Sequence, residues 1–252
     1  MRVTFLGTGT SGGVPAINCS CDVCTSENPK NKRLRCSVMI ETGGLHIIID
    51  TTPDLRQQLL TRPFPKIDAV LLTHSHADHI FGMDELRRFN YSQKGPIPVY
   101  GNAATIERVK LIYDYAFIKN IWKNGVPSLT ANEISAEFEI SGVQIMPIEL
   151  DHGSSRILGY RIGDFAYCTD VNHIPEESYD LLQNLKVLVL DSLREKPHAT
   201  HFSLQEAIAE AEKIRADQTY FTHVSHILDH DRHGDLLPEN CEFAFDGMVL
   251  DI

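Results

Sequence analysis

The chain is 252 residues long, 42% hydrophobic, and carries a formal net charge of −11 at pH 7. That length supports one substantial core, and the acidic balance excludes a surface built to grip long nucleic acid through its phosphates. No linker of low complexity, repeat or block of like charge divides the sequence, so residues 1–252 read as a single domain.

The first strand is predicted at residues 3–6, entered directly from Met1. Neither the apolar region of a signal peptide nor a run long enough to span a bilayer is present, so a cytoplasmic protein that meets no membrane is expected. A Gly-rich segment follows, Gly7-Thr8-Gly9-Thr10-Ser11-Gly12-Gly13. It lacks the lysine of a Walker motif and reads as tight turns. Next comes Cys19-Ser20-Cys21-Asp22-Val23-Cys24, part of a Cys-rich loop near residues 19–36. Six cysteines in a reducing compartment are ligands or buried thiols before they are disulfides. Three close thiols can converge on one tetrahedral ion but need a fourth donor. Cys36 could supply it, and His226 is the better candidate if its loop folds back beneath the active site.

Strands are predicted at 37–41 and 45–50, a helix at 54–60 and a buried strand at 69–72. Directly after that strand stands Thr73-His74-Ser75-His76-Ala77-Asp78-His79, four candidate ligands in six residues. Alternate residues of extended chain share a face, so His74 and His76 can point at one ion. Asp78 and His79 lie past the strand end, where a turn can aim them at a second. Strand ends of open α/β sheets are where such folds place their active sites.

Further along, helices are predicted at 84–89, 103–117, 176–183 and 204–215, and strands at 97–100, 143–150, 158–162, 165–168, 187–190, 219–222, 241–245 and 248–252. The helix at 204–215 opens with a capping box, Ser203-Leu204-Gln205-Glu206, and shows one apolar face at helical spacing. Strand pairs followed by alternating strands and helices imply mixed sheets covered by helices, a layered α/β architecture. Three more candidate ligands sit at strand ends: His152 in Asp151-His152-Gly153, Asp170 in Cys168-Thr169-Asp170, and His223 in Thr222-His223-Val224-Ser225-His226. Each alone is weak. With the opening motif they make five histidines and two aspartates, enough for two ions sharing a carboxylate.

The H-x-H-x-D-H motif and the later His, Asp and His, in that order, resemble the metallo-β-lactamase superfamily of binuclear hydrolases. The resemblance implies a four-layer αβ/βα sandwich of two mixed sheets flanked by helices, with the metals at one edge. It also implies that His74, His76 and His152 hold one ion, that Asp78, His79 and His223 hold the other, and that Asp170 bridges them. Asp50 closes Ile47-Ile48-Ile49-Asp50 and is expected to orient a ligand rather than to be one.

The Gly-rich start, the C-x-C-x-x-C loop, Thr-His-Val-Ser-His and Phe245-Asp246-Gly247-Met248 together resemble the branch containing the phosphoribosyl 1,2-cyclic phosphate phosphodiesterase of phosphonate breakdown. On that pattern Cys19, Cys21, Cys24 and His226 bind a structural zinc. His201, just before the capped helix, matches a histidine proposed there as general acid, with His198 as its competitor. The expectation is a hydrolase using two divalent ions, zinc or manganese, on a small phosphodiester, cyclic or open. A homodimer stays open, and His173, His230 and His233 receive no role. The alternatives are a thioesterase or other hydrolase on the same scaffold, or a nuclease like RNase Z. The basic tRNA-holding arm of that nuclease has no counterpart here.

Overall fold

The computed structural model describes residues 1–118 and 125–252. Among the described residues, two seven-stranded mixed sheets form the frame. The first comprises β1 (Arg2–Gly7), β2 (Ser37–Thr42), β3 (Leu45–Ile49), β4 (Ala69–Leu71), β5 (Ile97–Gly101) and β6 (Leu129–Glu133) in chain order. The second comprises β7 (Phe138–Ile140), β8 (Val143–His152), β9 (Ser155–Ile162), β10 (Phe165–Cys168), β11 (Val187–Asp191), β12 (Gln218–Thr222) and β13 (Cys241–Phe243). The last strand, β14 (Val249–Asp251), returns to pair with β1 at the edge of the first sheet.

Both sheets change character halfway. Strands β1 to β3 and β7 to β10 pair antiparallel, and β3 to β6 and β10 to β13 pair parallel. Parallel neighbours need long crossovers, which is why the longer helices of the described residues fall in the second part of each half. These include α2 (Leu55–Thr61), α4 (Arg87–Gln93) and α5 (Ala103–Ile112) on the first sheet, and α6 (Leu204–Ile214) on the second. Three short helices are also present among the described residues: α1 (Asp22–Thr25), α3 (Ala77–Ile80) and α7 (His230–Gly234).

Strand alternation divides the apolar residues among three cores, the mark of four layers. In β2 and β3, Val38, Ile40, Ile47 and Ile49 face the opposite sheet, whereas Met39 and Ile48 face the helices. In β11, Val187 and Val189 face the first sheet and Leu188 and Leu190 face α6. Each fully buried isoleucine or leucine contributes roughly 1.5–3 kcal/mol from its burial. Helix α6 lays Leu204, Ala207, Ala211 and Ile214 on its sheet, and both halves of its capping box form, as the sequence predicts.

Some elements differ from expectation. The helix predicted at 103–117 ends as α-helix at Ile112 and continues as a 3-10 turn, Asp114–Phe117. The segment at 176–183 is also 3-10, over Glu176–Leu182, and the helix predicted at 84–89 begins as the 3-10 turn Met83–Leu86 before α4. Strands β6 and β7 are edges of their sheets: β6 is largely polar after Leu129, and β7, Phe138-Glu139-Ile140, is three residues long, too short for its alternation to mark a strand.

Candidate metal centre

Strand ends from both sheets meet at one edge of the sandwich. Asp50 follows β3, Thr73 and His74 follow β4, His152 ends β8, Asp170 follows β10, Asp191 ends β11, and His223 follows β12. Three of these adopt the left-handed backbone: Asp50 at φ 64°, Asp170 at φ 58° and His223 at φ 58°. Such conformations cost on the order of 1–3 kcal/mol each and persist where the surroundings overdetermine them. Here the same kink recurs at three strand ends beside one cluster of polar side chains. Helix α3, which opens at Ala77, carries Asp78 and buried His79 to that cluster.

The donor atoms of His74, His76 and His152 lie within 4.8 Å of one another. The same holds for Cys36, His79, Asp170 and His223. Asp78 Oδ2 stands 3.2 Å from His79 Nε2 and 3.8 Å from His223 Nε2. Asp170 links the two groups: Oδ2 is 3.3 Å from His79 Nε2 and Oδ1 is 3.3 Å from His223 Nε2, and a carboxylate oxygen of Asp170 lies within 4.8 Å of ring nitrogens of both His152 and His201. All seven residues expected from the sequence therefore converge.

The imidazoles are oriented from behind. Asp50 accepts from the Thr73 amide at 2.8 Å and the Thr73 hydroxyl at 2.8 Å, and its Oδ2 sits 2.7 Å from His79 Nδ1. Because the Thr73 hydroxyl donates to Asp50, its oxygen accepts from His74 Nδ1 at 3.0 Å. His152 Nδ1 donates to the Thr200 carbonyl at 2.8 Å. In each ring the outer nitrogen is fixed and the inner one, Nε2, is left over for the site. The buried Nε2 atoms of His74, His79 and His223 have no hydrogen-bond partner. Three orphaned buried imidazole nitrogens, two of them beside carboxylates, fit divalent cations, since buried polar atoms are otherwise paired.

Electrostatics agrees. Burial and the neighbouring His79 hold His74 well below its ordinary value. Burial also opposes charge on His79, yet Asp170, Asp50 and Asp78 outweigh it and hold this ring well above the usual range. His223 is likewise raised, to about 9, because Asp170, Asp78 and Asp191 overcome its desolvation. Against their own burial, Asp170 is pulled far down by His223 and His79, and Asp78 by His79 and His223. Without an ion, protons supply the positive charge that these carboxylates demand.

His201 stands beside the cluster, its ring 4.9 Å from His152 and stacked 4.6 Å from His223. Its Nδ1 is 3.0 Å from Asp191 Oδ2. Asp191 is a residue the sequence reading passed over, although it closes the apolar run Val187–Leu190 just as Asp50 closes its own. Thr73 and Thr169, whose hydroxyl donates to Asp170 Oδ2 at 2.7 Å, were also missed. Single threonines at strand ends carry no distinguishing pattern. His198 lies farther out, its ring 5.2 Å from His201. His173 pairs with Asp151, His230 with Arg33 and His233 with Glu195, none of them in the cluster.

The four sulfur and nitrogen donors of Cys19, Cys21, Cys24 and His226 also lie within 4.8 Å of one another, with Cys19 and Cys21 Sγ each 3.4 Å from His226 Nδ1. His226 lowers the Cys21 thiol to about 6, and burial pushes Cys24 up to about 11. Cys36 lies in the other cluster, so of the two fourth donors considered it is His226 that joins the loop. The Gly-rich segment does more than turn. Gly9 bridges Val224, which separates His223 from Ser225 and His226, and a Cβ on Gly7 would stand 2.1 Å from the Arg35 carbonyl. The segment therefore passes too close to its neighbours to carry side chains there.

A family profile described as beta-lactamase superfamily domain matches residues 46–224. A solved structure described as a new diphosphatase from the PhnP family is 40% identical, with a TM-score of 0.93, and the match covers 100% of this chain and 97% of that one. A Porphyromonas gingivalis protein named octanoyltransferase is 36% identical over 253 residues, 98% of this chain and 51% of that protein, so the chain spans about half of that relative. Zinc-bound PqqB from Methylobacterium extorquens, 20% identical with a TM-score of 0.79 over 100% of both chains, shares the fold. Members of this fold bind divalent metals, and among the described residues no helix is long and apolar enough to cross a membrane. The chain belongs to the beta-lactamase superfamily, in its PhnP branch.

Proposed function

We propose that this hydrolase cleaves a small phosphodiester, with cyclic phosphoribosyl-type diesters as the leading substrate class, using two divalent ions at the strand-end cluster and one structural zinc at the cysteine loop. The observation that carries the reading is His201: a histidine oriented by Asp191, adjacent to the seven-donor cluster yet outside its expected ligand set. Carbonyl hydrolysis and phosphoryl transfer both use bound cations, but an ester with an alkoxide leaving group also needs a proton donor.

His74, His76 and His152 would hold one ion and Asp78, His79 and His223 the other, with Asp170 between them. When bound, the ions lower the pKa of water and stabilise charge on the phosphoryl oxygens. The imidazole donors suit zinc, and the carboxylates also accept manganese. Asp50, through His79 and the Thr73 hydroxyl, keeps the two rings in one tautomer. Asp191 does the same for His201, leaving Nε2 to pass a proton to the departing oxygen. The net charge of −11 disfavours a long polyanion and leaves a small substrate as the better partner.

A second reading, hydrolysis of a diphosphate linkage, is favoured by the 40% identical neighbour described as a diphosphatase. The test is a panel of cyclic phosphodiesters, aryl phosphodiesters, dinucleotide diphosphates, thioesters and lactams, with protein loaded separately with zinc and manganese. Turnover of phosphorus esters with negligible thioester and lactam hydrolysis is the expected result. Preferential thioester cleavage would overturn the reading, and preference for the diphosphates would select the second.

A further inference from the structure

Among the described residues, Cys36 is the one donor of the buried strand-end clusters that the hydrolase reading leaves unused. It precedes β2, is 1% exposed, and its amide donates to the Gly9 carbonyl at 3.1 Å. Its Sγ lies within 4.8 Å of ligand atoms on His79, Asp170 and His223, all four residues being buried. The Sγ is also 3.4 Å from the Thr169 hydroxyl, which donates onward to Asp170 Oδ2. A structural thiol ordinarily sits among apolar side chains and packs as a small hydrophobe. This one faces two imidazoles and a carboxylate instead, and the Nε2 atoms of both imidazoles lack a hydrogen-bond partner.

We infer that Cys36 is an additional ligand of the second ion, supplying a thiolate from the interior side of the group formed by His79, His223 and Asp170. The inference rests on the proposed two-ion site. One sulfur, two nitrogens and the carboxylate oxygens of Asp78 and Asp170 make a donor set that suits zinc, because thiolate is a soft ligand and manganese prefers oxygen. Binding breaks the S–H bond, forms a sulfur–metal bond and releases one proton to solvent, with no change of oxidation state. The ion held by His74, His76 and His152 has no sulfur donor within this grouping, so the two positions would differ in metal preference. Cys36 would make the inner position the zinc-selective one.

The test uses the full chain with zinc kept in the cysteine loop and cobalt loaded at the strand-end cluster. Thiolate ligation gives a near-ultraviolet sulfur-to-cobalt charge-transfer absorption beyond the visible cobalt bands. The expected result is that Cys36→Ser keeps the visible bands and loses the charge-transfer component, and that its zinc-to-manganese occupancy ratio falls at least tenfold under competition. Any contribution from the loop thiols is common to both proteins and cancels in the difference. Should Cys36→Ser fail to fold, X-ray absorption on the wild-type cobalt protein decides: a sulfur shell at about 2.3 Å supports the ligand. Bound cobalt with no sulfur in its shell, or a charge-transfer band unchanged in the variant, would overturn it while leaving the two-ion site intact. Failure of cobalt to bind the cluster at all would overturn both.

Discussion

Asp191 Oδ2 stands 3.0 Å from His201 Nδ1, while its Oδ1 lies 3.6 Å from His223 Nδ1. One fully buried carboxylate thus faces a candidate proton donor and a candidate metal ligand. Burial raises this carboxyl, against the pull of His201 and His223. The shorter contact points to His201 as the ring it chiefly orients.

Asp191→Asn should therefore impair leaving-group protonation before metal binding. We expect kcat on alkyl phosphodiesters to fall about 10²-fold, within the range of general acid contributions. Activated aryl diesters should change little, since their leaving groups need no proton. His201→Ala should show the same split. Metal content, measured by elemental analysis, should remain that of the wild type in both variants. Equal losses on both substrate types would assign His201 to binding instead.

Asp50 acts on the other side of the cluster. Asp50→Asn preserves a residue tolerant of the left-handed backbone at φ 64°, so the fold should survive. It replaces the acceptor for His79 Nδ1 with an uncharged amide and loosens the Thr73 link to His74. Metal affinity, read by competition with a chromophoric chelator, should fall roughly 10–100-fold, the usual cost of losing such a partner. Asp78→Ala, which removes a donor outright, should lose more.

Why some of this was legible in sequence and some was not follows from where the signals lie. The motif from His74 to His79 is local, and Asp170, His152 and His223 each close an apolar strand, so their positions could be read from pattern. Strands β2, β3, β4 and β11 were visible as apolar runs because parallel or central strands are buried on both faces. Cys36 and Thr169 meet only because β2 and β10 come from facing sheets, a distance of 133 residues in sequence. Asp191 had a readable signal, an acid closing an apolar run, but no motif around it. The edge strands β6 and β7 carry little signal because β6 is mostly polar and β7 is only three residues long.

Protonated imidazoles in the metal-free protein give a pH dependence of definite sign. His223 is raised to about 9 and His79 also lies well above its usual range, so near neutral pH both rings carry protons that an incoming ion must displace. Metal affinity should rise with pH between about 6 and 9. Calorimetric titration with zinc in buffers of different ionisation enthalpy should report net proton release that shrinks towards pH 9. Release that is independent of pH over that window would contradict the charge states derived from the geometry.

A separate acid sensitivity resides at His230. Its Nδ1 is 3.1 Å from Arg33 Nη2, so the ring must stay neutral to accept that bond. Burial, followed by Arg33 and Lys30, lowers His230 to about 4. A depressed folded-state value means that stability is fully present above the unfolded value near 6.5 and is lost as pH falls through 4. The loss should reach about 1–2 kcal/mol once solvent screening is allowed for. Denaturant titrations from pH 7 to pH 4 on wild type and His230→Gln should converge at the acid end, because the variant has no proton to take up.

The cysteine loop is coupled to the catalytic edge through a short stretch of chain. Val224 donates to the Thr8 carbonyl at 3.0 Å and accepts from the Thr10 amide at 3.2 Å, and it separates His223 from the segment that carries His226. Loss of the loop's ion should therefore disturb His223 as well as overall stability. Cys21→Ser should reduce bound zinc by about one equivalent, lower the thermal midpoint, and weaken metal binding at the strand-end cluster. Gly9→Ala tests the coupling without touching a sulfur: its Cβ would meet Arg33 atoms at 2.9 Å and press on the bridge to Val224. Its metal affinity should fall at the histidine cluster while the loop zinc is retained. Unchanged zinc content in Cys21→Ser would refute the structural site, and an unperturbed histidine cluster in both variants would show that the two centres are independent.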